Sequence, residues 1–435
     1  MIESPKELEE RFKKQRLETV TTLFSYSSLP PGIEHEIVQV QAEDKGVSWG
    51  ILYKKGNPKT AVVIMHQRTD NTRHYAIPYL VEAGFAAFGH NNRYTGNDVD
   101  TIHETILLDI AAGIRFLKQH RDYERVILLG ASGGGALFSF YQSQAQTAPP
   151  DRLKHTPAGD PPDLNQYDLP PADGLIHLAA HIGQGKFLMM NIDPSVIDEN
   201  DPLSCDPTLD MYNPANGFRF PPEPTRYSAE FIARYRQAQR ARVARIDAIA
   251  RDHIARQNFY KQLMTDSSFS RLSPEQQLHI KRQAVLGKYL LIHRTMANPI
   301  CVDLSLDPSD RLRGSLRSSE PEVFNFTEYG YARYLTPRAW LSSWSGLSSN
   351  ASTIDVSRRI TVPVLMVYGT ADVEVLPSDG QAIFEATASS DKQYILIEGA
   401  GHWFTPEGPK AGQGNQREQT MQTVTHWLRE RFPCA

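Results

Sequence analysis

The chain has 435 residues, with 46 Lys and Arg against 50 Asp and Glu, a formal balance of -4. At ~150 residues per domain this allows about three domains, or one large domain carrying an insertion. The near-neutral charge provides neither a basic field for nucleic acid nor an acidic tail, and 40% hydrophobic with 22% charged residues excludes global disorder.

In chain order, Met1 to Leu17 alternates acids, bases and scattered apolar residues, without the apolar core of a signal peptide. It reads as a surface helix, within an N-terminal helical extension over 1–34. Short apolar runs bounded by turn residues then predict strands at His35 to Ala42, Val47 to Tyr53, Ala61 to Met65, Phe85 to Phe88 and Arg125 to Leu129. Between the last three lie helical periods, Thr72 to Glu82 and Thr101 to Gln119, the second placing Ile102, Ile106, Ile110, Ile114 and Leu117 on one face. Strand alternating with helix implies a parallel sheet covered on both sides.

That rhythm breaks at a Pro-rich loop, 147–173, shows one more strand at Gly174 to Ala180, and is then lost over 182–355. The excursion contains a helix from Ser228 to about Met264, with Ile232, Tyr235, Val243, Ile246 and Ile249 on its apolar side, and another from Pro274 to Met296. Arg234, Arg236, Arg240, Arg242, Arg245 and Arg251 read as a solvated face rather than an anion site, because Glu and Asp are interleaved. The sheet grammar returns with strands Val362 to Tyr368 and Gln393 to Glu398 and helices Ser378 to Ala388 and Gln416 to Arg431. The longest apolar runs are far shorter than the ~20 residues of a membrane helix. Cys205, Cys301 and Cys434 form no C-x-x-C pair, so neither a disulfide framework nor a zinc site is expected, and a cytoplasmic location suits them.

After the strand Arg125 to Leu129 comes Gly130, Ala131, Ser132, Gly133, Gly134, a G-x-S-x-G in strand-turn-helix context. A serine on so sharp a turn needs flanking glycines, and as a nucleophile it needs a base and an orienting acid. The next two strand ends provide them in order: Gly369, Thr370, Ala371, Asp372, and then Glu398, Gly399, Ala400, Gly401, His402. Glu374 and Asp379 are competing acids that read as a surface loop charge and a helix N-terminal charge. A G-x-G-x-x-G dinucleotide loop cannot be laid on these residues, and no cofactor is expected.

Through the Gly130 to Gly134 elbow, the Gly369 to Asp372 turn and the Gly401, His402 pair, the chain resembles the α/β-hydrolase superfamily over roughly 35–181 and 356–432. The resemblance implies an α/β fold with a mostly parallel eight-stranded sheet, a core over 35–181 and 356–435, and a helical cap at 182–355. It implies Ser132 as nucleophile, Asp372 as acid and His402 as base. Many members read His-Gly after the strand matching Ala61 to Met65, whereas here the chain reads His66, Gln67, Arg68. The oxyanion hole needs a backbone N–H from this turn beside that of Gly133; Arg68 is slightly favoured over Gln67. His66 is read as a brace of the turn.

The pocket residues expected are His181, Arg93, Trp340 and Trp344, with Tyr329, Tyr331 and Tyr334 in the same aromatic run. His177 and His181, four apart, are expected on one face, and metal binding is disfavoured for want of a third ligand. Arg68 and Arg93 leave strand ends and could meet an anionic group, or pair with Asp70 and Asp98 as loop braces. The function expected is a serine hydrolase acting through an acyl-enzyme on a small to medium carboxylic ester. An amidase, lactonase, thioesterase or C–C bond hydrolase would use the same triad, and a non-catalytic ligand-binding member of the fold is the other class. The partner expected is a small-molecule substrate, with no nucleic acid, no membrane and the oligomeric state open.

Overall fold

The computed structural model describes residues 4, 6, 7, 10, 23–412 and 414–434. Most of the helix expected over Met1 to Leu17 lies outside the described residues. The last part of the expected extension, 23–34, contains a single 3-10 turn, Tyr26–Ser28.

The strands are β1 (Glu34–Gln41), β2 (Val47–Lys54), β3 (Thr60–Ile64), β4 (Ala86–Asn91), β5 (Arg125–Ala131), β6 (Gly174–Leu178), the two-residue β7 (Leu290–Leu291) and β8 (Tyr334–Leu335), β9 (Val364–Gly369) and β10 (Lys392–Ile397). Eight of them form one sheet in the order β1-β2-β4-β3-β5-β6-β9-β10. β2 runs antiparallel to both its neighbours, and the other pairings are parallel. This is an α/β-hydrolase fold. β3, β4, β6 and β9 are buried along their whole length, because helices cover both faces and each strand can be apolar throughout. Ile106, Ile110, Phe138 and Phe140 pack on one face; Ile77, Leu80, Val424 and Trp427 pack on the other.

Some helices depart from their expected bounds. The run from Thr101 is helical over His103–Arg115 and widens to a π turn at Phe116–His120. The second long helix of the excursion stops at Ala284 rather than Met296. Gly287 follows closely, Gln257 Nε2 donates to the Leu286 carbonyl at 2.7 Å, and Leu290–Leu291 pair with Tyr334–Leu335 instead. A strand partner distant in sequence outweighs the helical period there, an example of tertiary context overriding local propensity.

The insertion between β6 and β9 has its own core, in which Val243, Ile246 and Ala250 of the 37-residue helix Ala229–Thr265 pack with Leu188, Trp340 and Trp344. Ser228 caps that helix by accepting from Phe231 N at 3.1 Å. Arg234, Arg240, Arg245 and Arg251 are exposed as a solvated face requires, but Arg242 is only 1% exposed. Its guanidinium donates to the Asp193 and His293 carbonyls at 2.6 and 2.9 Å and pairs with Glu199 at 2.8 Å. Asp193 is itself buried, pairs with buried Arg294 at 2.7 Å and accepts from Asn325 at 2.8 Å. Asp193→Ala leaves the Arg294 charge uncompensated, so a loss of about 3–5 kcal/mol is expected in urea unfolding; a change under 1 kcal/mol would contradict it. Among the described residues no helix is long and apolar enough to cross a membrane.

Candidate active site

The chain passes from β3 to β4 on one side and then returns to place β5 on the other, so the sheet order reverses between β3 and β5. Ligands of open α/β sheets bind beyond the carboxyl ends at such a point. The loops leaving β3, β5, β6, β9 and β10 there carry His66 to Arg68, Ser132, His181, Asp372 and His402.

Ser132 sits between β5 and the helix Gly133–Ala145 with φ 52° and ψ -122°, a backbone that costs a non-glycine residue roughly 1–3 kcal/mol. Two hydrogen bonds hold it: Ser132 N donates to Leu178 O at 2.9 Å and Gly135 N to Ser132 O at 3.1 Å. The turn is so tight that a Cβ at position 130 would overlap Gly135 N, which is why the elbow opens on glycine.

Asp372 is fully buried just beyond β9. Its Oδ1 accepts from the backbone N–H of Glu374 at 2.8 Å and of Val375 at 3.0 Å. Its Oδ2 lies 2.8 Å from His402 Nδ1. An ionised carboxylate only accepts, so Nδ1 carries the proton and, in the neutral ring, Nε2 is the basic atom. Among the described residues Nε2 is buried without a hydrogen-bond partner. Burial alone would lower the His402 pKa, but the Asp372 charge and hydrogen bond, helped by Glu374 and Glu407, lift it above its ordinary value.

Ser132 and His402 line one cavity of about 300 Å³, closed on the other side by Phe187, Arg317, Tyr331 and Trp344 of the insertion. Of the residues expected there, Gln67, Arg68, His181 and Trp344 also line it. Trp340 and Arg93 do not. Trp340 is fully buried in the core of the insertion, where its indole N–H donates to Asp247 at 2.6 Å. Arg93 is turned toward two carboxylates, Asp109 at 2.6 Å and Asp44 at 2.6 Å, instead of the expected Asp98. Asp98 pairs with Arg68, whose Nε donates to it at 2.8 Å, while Asp70 accepts from Thr72 N at 2.8 Å and Asn91 Nδ2 at 2.9 Å. The Arg68 guanidinium also lies 4.9 Å from the centre of the Trp344 ring.

The backbone at the β3 exit corrects the choice of Arg68. Arg68 N–H donates to His66 Nδ1 at 3.0 Å and so is turned to its own loop. No hydrogen bond among the described residues engages the Gln67 N–H, while the Gln67 side chain donates to Gln184 Oε1 at 2.6 Å. His177 and His181 do not share a face. β6 ends at Leu178 and Ala179 takes φ 48°, so His177 stays in the core against Ser139 Oγ at 2.9 Å while His181 reaches the cavity. Asp379 accepts from Leu376 N at 3.2 Å at the start of the helix Pro377–Ala386, a helix N-terminal charge as expected.

Glu374 is not a surface charge. It lines the cavity and accepts from the Tyr331 hydroxyl, and burial pushes its carboxyl up despite His402, Tyr331 and Arg317 nearby. Its position two residues past Asp372 was a usable signal. Arg317, whose guanidinium lies 5.7 Å from the centre of the Tyr331 ring, comes from an irregular segment with no pattern to mark it.

No family model and no curated protein matches the chain. Among solved structures it is similar to DcsB in complex with its substrate analogue, with 12% identity and a TM-score of 0.47 over 92% of this chain and 100% of that one. It is also similar to the α/β hydrolase GrgF from Penicillium sp. sh18, with 13% identity and 0.47 over 92% and 99%. The esterase domain of a Rhodothermus marinus protein gives 10% and 0.42 over 91% and 98%. These are distant likenesses of fold.

Proposed function

We propose that the protein is a serine hydrolase that cleaves small to medium carboxylic esters through an acyl-enzyme. The observation that carries this reading is the buried pair of His402 and Asp372 at 2.8 Å, with Nε2 unpartnered among the described residues and His402 lining the cavity that Ser132 also lines. In this reading Ser132 Oγ attacks the ester carbonyl carbon as His402 Nε2 takes its proton. The C=O electron pair moves to the oxygen, the oxyanion is met by the N–H groups of Gly133 and Gln67, and collapse expels the alcohol, which receives the proton from His402. Water, deprotonated by the same ring, then attacks the acyl carbon and releases the acid and the free serine. Asp372 holds the ring in the required tautomer throughout.

The direct test is a fluorophosphonate probe followed by peptide mass mapping, together with turnover of an aryl ester. Phosphonylation at Ser132 and multiple turnovers are expected. An unlabelled, folded protein inert toward ester, thioester, amide and lactone panels would leave the reading without support and favour a ligand-binding member of the fold.

The raised His402 pKa has a kinetic consequence. The base works only when neutral, so kcat/KM should rise with pH through an apparent pKa above the ordinary 6.5. Glu374→Gln removes one of the charges that raise it and should move this limb to lower pH. A limb that stays in place would show that Glu374 does not act on His402.

The two tryptophans separate pocket from core. Trp344→Ala should raise KM for a bulky ester more than for an aryl acetate, whereas Trp340→Phe, which removes the N–H bonded to Asp247, should lower Tm and leave that selectivity unchanged. The opposite pattern would reverse the two roles.

A further inference from the structure

We propose that His66 is a further catalytic residue of this site, its side-chain Nε2–H donating to the oxyanion beside the backbone N–H of Gly133. The proposal rests on the serine hydrolase reading above.

The Arg68 N–H points at His66 Nδ1 at 3.0 Å. An amide N–H can only donate, so Nδ1 holds a lone pair and the single proton of the neutral ring must be on Nε2. The ring is neutral because burial, then the neighbouring positive charge of Arg68, hold its pKa well below the ordinary histidine value. The contact that withdraws the Arg68 N–H from the hole thus forces a donor onto the other end of the imidazole.

That end lies beside the residue after the nucleophile. A Cβ built on Gly133 would lie 2.9 Å from His66 Nε2 and 2.2 Å from Gln67 Nε2, so the His66 ring and the Gln67 amide both stand over the residue that follows Ser132, and His66 lines the cavity together with Ser132. Among the described residues the hydrogen bonds of His66 are those at Nδ1 and at its backbone carbonyl. An uncharged, fixed donor suits the step: it is too weak to hold a neutral ester carbonyl tightly, and its hydrogen bond strengthens as negative charge develops. Because Nδ1 accepts from a backbone amide, the two hydrogen bonds of the ring should reinforce each other.

Asparagine and glutamine separate the two ends of the ring. His66→Asn can keep an acceptor near Nδ1 for the Arg68 N–H but has nothing at Nε2; His66→Gln can bring an amide N–H toward the Nε2 position. Expected for His66→Asn is a loss of about 10²-fold in kcat, unchanged KM and Tm, and a matching loss of affinity for a trifluoromethyl ketone, whose serine adduct carries the oxyanion. His66→Gln should recover part of kcat. In wild-type protein with ¹⁵N-labelled histidine, the His66 Nε2–H resonance should move downfield on forming the adduct, a readout independent of how the variants fold. The proposal is overturned if His66→Asn retains kcat and ketone affinity, if only KM rises, if both variants lose activity in proportion to Tm, or if the resonance does not respond. A wild type that neither labels nor turns over would overturn the parent reading as well, whereas normal labelling with an indifferent His66→Asn removes only this residue.

Discussion

Ser132→Ala is expected to abolish turnover, by roughly 10⁶-fold in kcat, leaving only what binding and the oxyanion donors contribute without a nucleophile. The expectation is clean because the substitution touches little else. Alanine must adopt the same φ of 52° and keeps the backbone bonds to Leu178 O and from Gly135 N, so the elbow loses a hydroxyl but none of its backbone bonds. Tm should be unchanged and fluorophosphonate labelling lost. A folded variant with near-normal turnover would show that catalysis does not pass through this serine.

Asp372→Asn comes next in expected size, about 10⁴-fold in kcat. The asparagine Oδ1 can still accept from the N–H groups of Glu374 and Val375, which leaves the amide nitrogen facing His402 Nδ1. Nδ1 must then accept, the ring proton moves to Nε2, and Nε2 can no longer take a proton from the serine. The fall in kcat should therefore occur with a modest change in Tm and with Ser132 still in place. Asp379→Asn should cost far less, since that carboxylate accepts from Leu376 N at a helix start. Glu374→Gln should act through the pH profile rather than by removing the base. If either of those changes proves more damaging than Asp372→Asn, the acid has been wrongly assigned.

The sheet, the elbow at Ser132 and the places of Asp372 and His402 just beyond strand ends were legible in the sequence because each rests on local chemistry. Buried parallel strands are apolar throughout, a tight elbow admits only small residues around the serine, and a turn beyond a strand end is marked by glycine. The bonds from Glu374 N and Val375 N to Asp372 and from Gly135 N to Ser132 O are made by those few residues. Such bonds are written within short windows, whereas those from Ser132 N to Leu178 O and between His402 and Asp372 need the assembled sheet.

The cavity wall was decided at longer range. Trp340 and Trp344 are four residues apart in one aromatic run, yet one is tied to Asp247 in the core and the other lines the cavity. Arg93 follows a strand toward the ligand-binding edge, but Asp44 and Asp109 capture it. The tripeptide His66, Gln67, Arg68 likewise does not tell that the Arg68 N–H is taken up by His66 Nδ1, a contact made only in the folded loop. Composition and periodicity report how often a residue type is buried or charged. They carry no information on which partner, tens or hundreds of residues away, a given side chain meets, and in this protein those partnerships decide what faces the cavity.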